Sequence, residues 1–310
     1  MNIIRYPKKE DWTQVLKRPT FDVRDLSETV KAILDSIKLN GDNALSKYTK
    51  QFDGVEIEHF QVSEAEFIEA ERNVSKDLKQ AIRVAKLNIE KFHLSQIDEI
   101  KRVETTEGVV CWRKSVAIEK VGLYIPAGTA PLFSTVLMLA IPAKIAGCNK
   151  IIMCSPTDKN GRINDATLFT ARLCGVDEVY KLGGVQAIGA MAYGTKSVPQ
   201  VYKIFGPGNQ YVTCAKQMVS QMGVAIDMPA GPSEVAVLAD KSCVPSFVAA
   251  DLLSQAEHGI DSQVLLVSNS EKVQRPTCLR PASRTVSRGT LGRVDSRLNV
   301  TGGGSPSGLR

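Results

Sequence analysis

The sequence predicts an α/β protein, a helical N-terminal region followed by a mostly parallel sheet covered by helices. Three observations carry this expectation. The first hundred residues place apolar side chains three and four apart, the helical period. From about residue 115, short β-branched runs alternate with helical segments, the pattern of a parallel sheet wrapped by crossover helices. Glycine marks several of the corners at the ends of the predicted strands.

Residues 27–52 read as an amphipathic helix interrupted near Asn40-Gly41. Ser63 followed by Glu66 is the signature of a capping box that opens a second helix. Residues 75–96 continue the pattern, with Leu78, Ile82, Ala85, Ile89 and Phe92 on one face. His93 beside that face and His59 in segment 56–62 read as ordinary surface or partly buried histidines. Strands are expected at 116–125, 150–155, 178–182, 201–205, 234–238 and 263–267. Helices fit between them at 134–146, 165–173, 186–193, 210–221 and 246–258. Pro245 near the start of the last helix and Gly259 past its end have the usual asymmetry of helix termini. The expected regions are 1–114 (mostly helical), 115–240 (a first α/β unit), 241–273 (the start of a second) and 274–310 (a tail).

Charge separates the tail from the body. The chain carries a formal charge of +6, but seven of its 39 basic residues and one of its 33 acidic residues lie in 275–310. That leaves 32 of each in 1–274, so the body is neutral and gives no reason to expect nucleic acid. The tail has seven arginines, no lysine and no aromatic residue, and is rich in glycine and serine. Such a composition buries too little apolar surface to offset the entropy of ordering, and disorder is expected. A phosphate-binding arm is one reading of it; a shifted reading frame after about Val273 is the simpler one. The seven cysteines show no C-x-x-C spacing and no paired framework, as in a reduced intracellular protein. Residues 1–12 lack an apolar signal core, and the apolar run 136–143 is too short to span a bilayer. A soluble cytoplasmic protein is expected.

The corners carry the candidate chemistry. They read Tyr124-Ile-Pro-Ala-Gly128, Leu182-Gly-Gly-Val-Gln186, Phe205-Gly-Pro-Gly-Asn209 and Met228-Pro-Ala-Gly-Pro-Ser233. Ligands of open α/β sheets bind outside the carboxyl ends of strands, where helix N-termini present free N–H groups to anions. Singly, each corner is a tight turn; together, with Tyr124, Gln186, Asn209 and Ser233, they mark a small-molecule crevice. No G-x-G-x-x-G occurs, so the ordinary dinucleotide fingerprint is absent. Gln255 and His258 stand three apart at the end of the last helix, on one face. They read either as two metal donors or as a capped helix end with a satisfied histidine. Two donors fall short of the four of a usual zinc site. Cys148, Cys154 and Cys174 lie in apolar runs and Cys214 has no histidine nearby, so thiol catalysis has no support.

Taken together, these motifs resemble the histidinol dehydrogenase family. The resemblance rests on Val121-Gly-Leu-Tyr-Ile-Pro126, Ala130-Pro-Leu-Phe-Ser-Thr-Val-Leu-Met138, Gly206-Pro-Gly-Asn209, Ile226-Asp-Met-Pro-Ala-Gly-Pro-Ser-Glu234, Asp251-Leu-Leu-Ser-Gln-Ala-Glu-His-Gly259 and Asp261-Ser-Gln263, in that order, and covers about residues 1–273. It implies a zinc-containing homodimer with two incomplete Rossmann-like units, similar to the aldehyde dehydrogenase superfamily. The region 115–240 would then be the NAD-binding unit. The activity implied is oxidation of L-histidinol through its aldehyde to L-histidine, with two NAD molecules reduced in turn. By resemblance, Tyr124, Gln186 and Asn209 contact NAD and Ser233 contacts substrate. Gln255 and His258 would be zinc ligands that also touch histidinol.

One departure limits what these residues alone are expected to do. The family's acid/base Glu-His pair and its other two zinc ligands follow the matched segment. This chain has no histidine after His258 and no glutamate after Glu271. The expectation is a C-terminally truncated family member, inactive alone. Two other readings stand beside it: a non-catalytic NAD-binding fragment, and an interaction protein whose basic tail binds nucleic acid.

Overall fold

The structure, a computed structural model, describes residues 2–17, 24–127, 131–229, 234–256, 263–270, 273 and 298–302. The chain forms two units, one from Asp22–Pro229 and one from Met1–Phe21 with Ala230–Arg310. Strand β1 (Asn2–Arg5) and the short helix α1 (Trp12–Val15) open the chain and belong to the second of these.

The larger unit begins with α2 (Arg24–Asn40), α3 (Asp42–Asp53), α4 (Glu64–Asn73) and α5 (Lys76–Leu94). The break expected near Asn40-Gly41 is present, with Gly41 at φ 51° between α2 and α3. The capping box is present as well. Ser63 Oγ accepts from the Glu66 N–H, and the Glu66 carboxylate accepts from the Ser63 N–H. An antiparallel hairpin follows, β2 (Arg102–Thr106) and β3 (Val109–Trp112). Every residue of both strands is exposed, so neither face shows the alternation by which a strand is read from sequence.

Strand and helix then alternate: β4 (Lys120–Tyr124), α6 (Phe133–Ile145), β5 (Lys150–Ser155), α7 (Asp165–Leu173) and β6 (Glu178–Lys181). They continue with α8 (Gly184–Tyr193), β7 (Lys203–Phe205), α9 (Gln210–Gln221) and β8 (Ala225–Ile226). The five strands pair in parallel in the order β6-β5-β4-β7-β8. The first strand is shorter than its sequence suggests: pairing with β5 starts at Lys120, and Val116 is exposed.

Burial on both faces explains why these strands are nearly continuous apolar runs. Along β5, Ile152 and Cys154 join α2, α3, α8 and α9 in one core, while Ile151 and Met153 join α4, α5, α6 and α7 in the other. The N-terminal helices are thus the outer layers of this sheet. Of the stripe on α5, Leu78, Ile82, Ala85 and Ile89 pack into the core, whereas Phe92 is exposed. His59 is exposed, and His93 bonds locally to Gln96 at 2.7 Å.

The second unit holds β9 (Glu234–Ala239), α10 (Pro245–Ala256), β10 (Gln263–Ser268) and β11 (Leu298–Gly302). Its parallel sheet runs β1-β11-β10-β9. Val248, Leu252 and Ala256 of α10 pack on Val264 and Leu266. Strand β11 lies inside the segment expected to be without regular structure; it is hydrogen-bonded to β1 on one side and β10 on the other. Among the described residues no helix is long and apolar enough to cross a membrane.

Candidate functional site at the carboxyl ends of the larger sheet

From β4 the chain adds β5 and β6 on one side, then returns to add β7 and β8 on the other. The direction of winding reverses between β4 and β7, and an open α/β sheet has its ligand crevice at that reversal. Three of the residues singled out by sequence come to this end of the sheet. Tyr124 is the last residue of β4, Gln186 lies in the first turn of α8 after β6, and Asn209 caps α9 after β7.

Tyr124 and the start of α8 are joined directly. The Gly184 N–H donates to the Tyr124 hydroxyl at 3.1 Å. Gly184 has a φ of +55°, a conformation glycine adopts without steric cost. Tyr124 is buried, and burial pushes its phenol up to about 12, the nearby Asp53 carboxylate adding to the effect. It is therefore a neutral hydrogen-bonding group at any ordinary pH.

Gln186 is buried and donates from Nε2 to Asp53 Oδ2 at 3.1 Å. Asp53, the last residue of α3, is thereby part of the same cluster, and sequence reasoning does not find it. It stands 133 positions from Gln186, in no motif, and looks like any acid near a helix end. Burial raises its carboxyl above the ordinary range, and the hydrogen bond from Gln186 works against that shift.

The corner after β7 is clamped from below. The Gly206 N–H donates to Asp227 Oδ2 at 2.8 Å, and Lys216 Nζ donates to the Gly206 carbonyl at 2.8 Å. Lys216 also pairs with Asp227. Gly206 has a φ of +136°, and a Cβ there would overlap the Tyr124 carbonyl oxygen. The corners after β4 and β7 thus touch through backbone alone. Asn209 is exposed, and its Oδ1 accepts from the Val212 N–H at 3.1 Å. Its Nδ2 has no hydrogen bond among the described residues. Lys216 is a second residue that the motifs do not single out, although it lies on the stripe of Val212 and Val219 and is only 5% exposed. A lysine on an apolar stripe is the signal that could have found it.

A separate open cleft of about 720 Å³ runs along α9, lined by Ser27, Cys214, Gln217, Met218, Asp227 and Met228 among others. Tyr124, Gln186 and Asn209 do not line it. Cys154 and Cys174 are buried, and burial raises both thiols, Cys174 up to about 12. They are core residues, as their apolar surroundings in the sequence predict.

Gln255 lies near the end of α10 in the second unit. Its Nε2 is buried without a hydrogen-bond partner among the described residues. An amide's O and N are assigned from its hydrogen bonds, so this end is equally open to being the oxygen. His258 and Ser233 lie outside the described residues. Among the described residues no group of three His, Cys, Asp or Glu could hold a metal ion. The unpartnered amide of Gln255 is compatible with a ligand, but the described donors do not make up a zinc site.

Comparison with known proteins identifies the family. The family model of histidinol dehydrogenase matches residues 16–279. A histidinol dehydrogenase of Bacteroides fragilis is 61% identical over 274 residues, which are 88% of this chain and 64% of that protein. One from Mannheimia succiniciproducens is 53% identical over 272 residues, 87% of this chain and 63% of the other. The crystal structure of histidinol dehydrogenase from Elizabethkingia anophelis superposes with a TM-score of 0.90 at 48% identity, covering 97% of this chain and 70% of that one. The chain thus spans a little under two thirds of the length of the curated relatives it matches, 64% for Bacteroides fragilis. With a family model over most of its length and relatives this similar, the chain belongs to the histidinol dehydrogenase family.

Proposed function

We propose that this chain carries the NAD-binding side of a site that oxidises L-histidinol to L-histidine. The observation that carries the reading is the convergence of Tyr124, Gln186 and Asn209 at the switch point of a parallel sheet. The donor set suits a dinucleotide. The N-termini of α8 and α9 offer backbone N–H groups that favour a pyrophosphate, and the exposed Asn209 amide adds a directional donor. Tyr124, neutral and fixed by Gly184, holds a face of the ligand without competing for charge. Bound NAD would supply the hydride acceptor.

The zinc part of the proposal rests on Gln255 and His258. An amide oxygen and an imidazole nitrogen are half of a four-donor shell. These two residues would also contact histidinol, and zinc held there would supply the charge that fixes the substrate's amine and imidazole and so orients the reacting carbon. Ser233 would contact the same substrate. Assembly with a second copy belongs to the same proposal.

The 310 residues contain no histidine after His258 and no glutamate after Glu271, and the family match ends at residue 279. In this reading the acid/base Glu-His pair and the two remaining zinc donors belong to sequence beyond the matched region. A polypeptide of these 310 residues, supplied with zinc, histidinol and NAD, is expected to form no NADH beside an active full-length relative. Each NADH formed is read by its own absorbance, so the assay is direct. Histidinol-dependent turnover would sink this part of the proposal.

A further inference from the structure

Resting on the NAD reading above, we infer that Asp53 is a specificity-determining residue that accepts a ribose hydroxyl of the dinucleotide and rejects a 2′-phosphate. Its position is costly. An acid in the last turn of α3 faces the negative end of the helix dipole, and partial burial adds a second penalty. Among the described residues no cation pairs with it, and its carboxylate receives one hydrogen bond, from Gln186 to Oδ2. Oδ1 has no hydrogen bond and is not sealed from solvent. A half-buried carboxylate with a free acceptor oxygen, held beside Gln186 and close enough to Tyr124 to act on its phenol, fits a ligand that donates.

Among the parts of a dinucleotide, the phosphates only accept and would be repelled. The ribose diols donate, as the adenine and carboxamide amino groups do, but only a diol would let the acid discriminate against a 2′-phosphate. Carboxylates recognise ribose in this way in other parallel-sheet dinucleotide sites, where an acid takes the 2′-hydroxyl and disfavours a 2′-phosphate. Here the acid comes from a helix that precedes the sheet rather than from the end of a strand. No G-x-G-x-x-G fingerprint would have pointed to it.

The test is titration calorimetry of the 310-residue chain with NAD and, separately, with NADP. Wild type is expected to prefer NAD. Asp53→Asn keeps size and an acceptor for Gln186 but removes the charge. It should weaken NAD by about tenfold, the scale of one lost charge-assisted hydrogen bond, and leave NADP unchanged or tighter. Asp53→Glu should restore the preference in part. A purely structural role would weaken both dinucleotides alike, and that result would overturn the inference, as would an unchanged ratio. If wild type binds neither NAD nor NADP, the NAD reading itself falls, and the inference falls with it. Thermal unfolding of each variant separates loss of fold from loss of binding.

Discussion

A Gly206→Ala chain is expected to unfold at least about 3 kcal/mol more readily than the parent, the range of substitutions that force a clash at a strained backbone position. Two terms add. The φ of +136° is one that alanine adopts only under strain, and the new Cβ would run into the Tyr124 carbonyl oxygen. Both obstacles are backbone, so no side chain can swing away to relieve them. Gly223→Ala is the control, since Gly223 has a φ of +97° and a methyl group there would meet nothing within 4 Å. It should show the strain term alone, about 1 kcal/mol. Urea unfolding followed by circular dichroism measures both. Equal losses at the two positions would mean that the contact between the β4 and β7 corners contributes nothing.

The second large effect is expected at Lys216. Replacing it with methionine preserves most of the stem but leaves the Gly206 carbonyl without its donor and Asp227 without its cation. Breaking a largely buried pair by removing one partner costs about 3 kcal/mol, more than the pair itself contributes. Asp227→Asn should cost a similar amount: its single amide oxygen can accept from only one of the Gly206 N–H and Lys216, and the more deeply buried Lys216 ammonium loses its anion. The double variant should be less destabilised than the sum of the singles, the mark of coupled partners. Unchanged stability for Lys216→Met would remove the clamp from the account. Since the clamp sets the corner that leads into Asn209, NAD affinity should fall along with stability.

Much of this arrangement is legible in the sequence because it follows from period and punctuation. The alternation of Ile151, Ile152, Met153 and Cys154 between two cores is what a doubly covered strand requires, and the glycine corners mark where such strands end. Tyr124, Gln186 and Asn209 stand out because each sits in a corner motif. Asp53 and Lys216 do not, since their roles depend on partners that the fold alone brings to them. Nothing local distinguishes an acid ending α3 from a solvated one. The β2–β3 hairpin escapes for a different reason: with every residue exposed, hydrophobic periodicity carries no information about it. Strand β11 comes from a segment whose composition predicts disorder; Val300 and Thr301 have strand propensity, and pairing on both sides supplies what composition does not show.

The decisive measurement is amide hydrogen exchange of the 310-residue chain with and without NAD, read peptide by peptide. With NAD bound at the carboxyl ends of β4, β6 and β7, residues 184–188 and 209–213 should exchange more slowly, while the exposed hairpin at 102–112 should not change. Saturating NAD that leaves both segments unaltered, or that protects only regions away from Tyr124, Gln186 and Asn209, would contradict the placement of the dinucleotide.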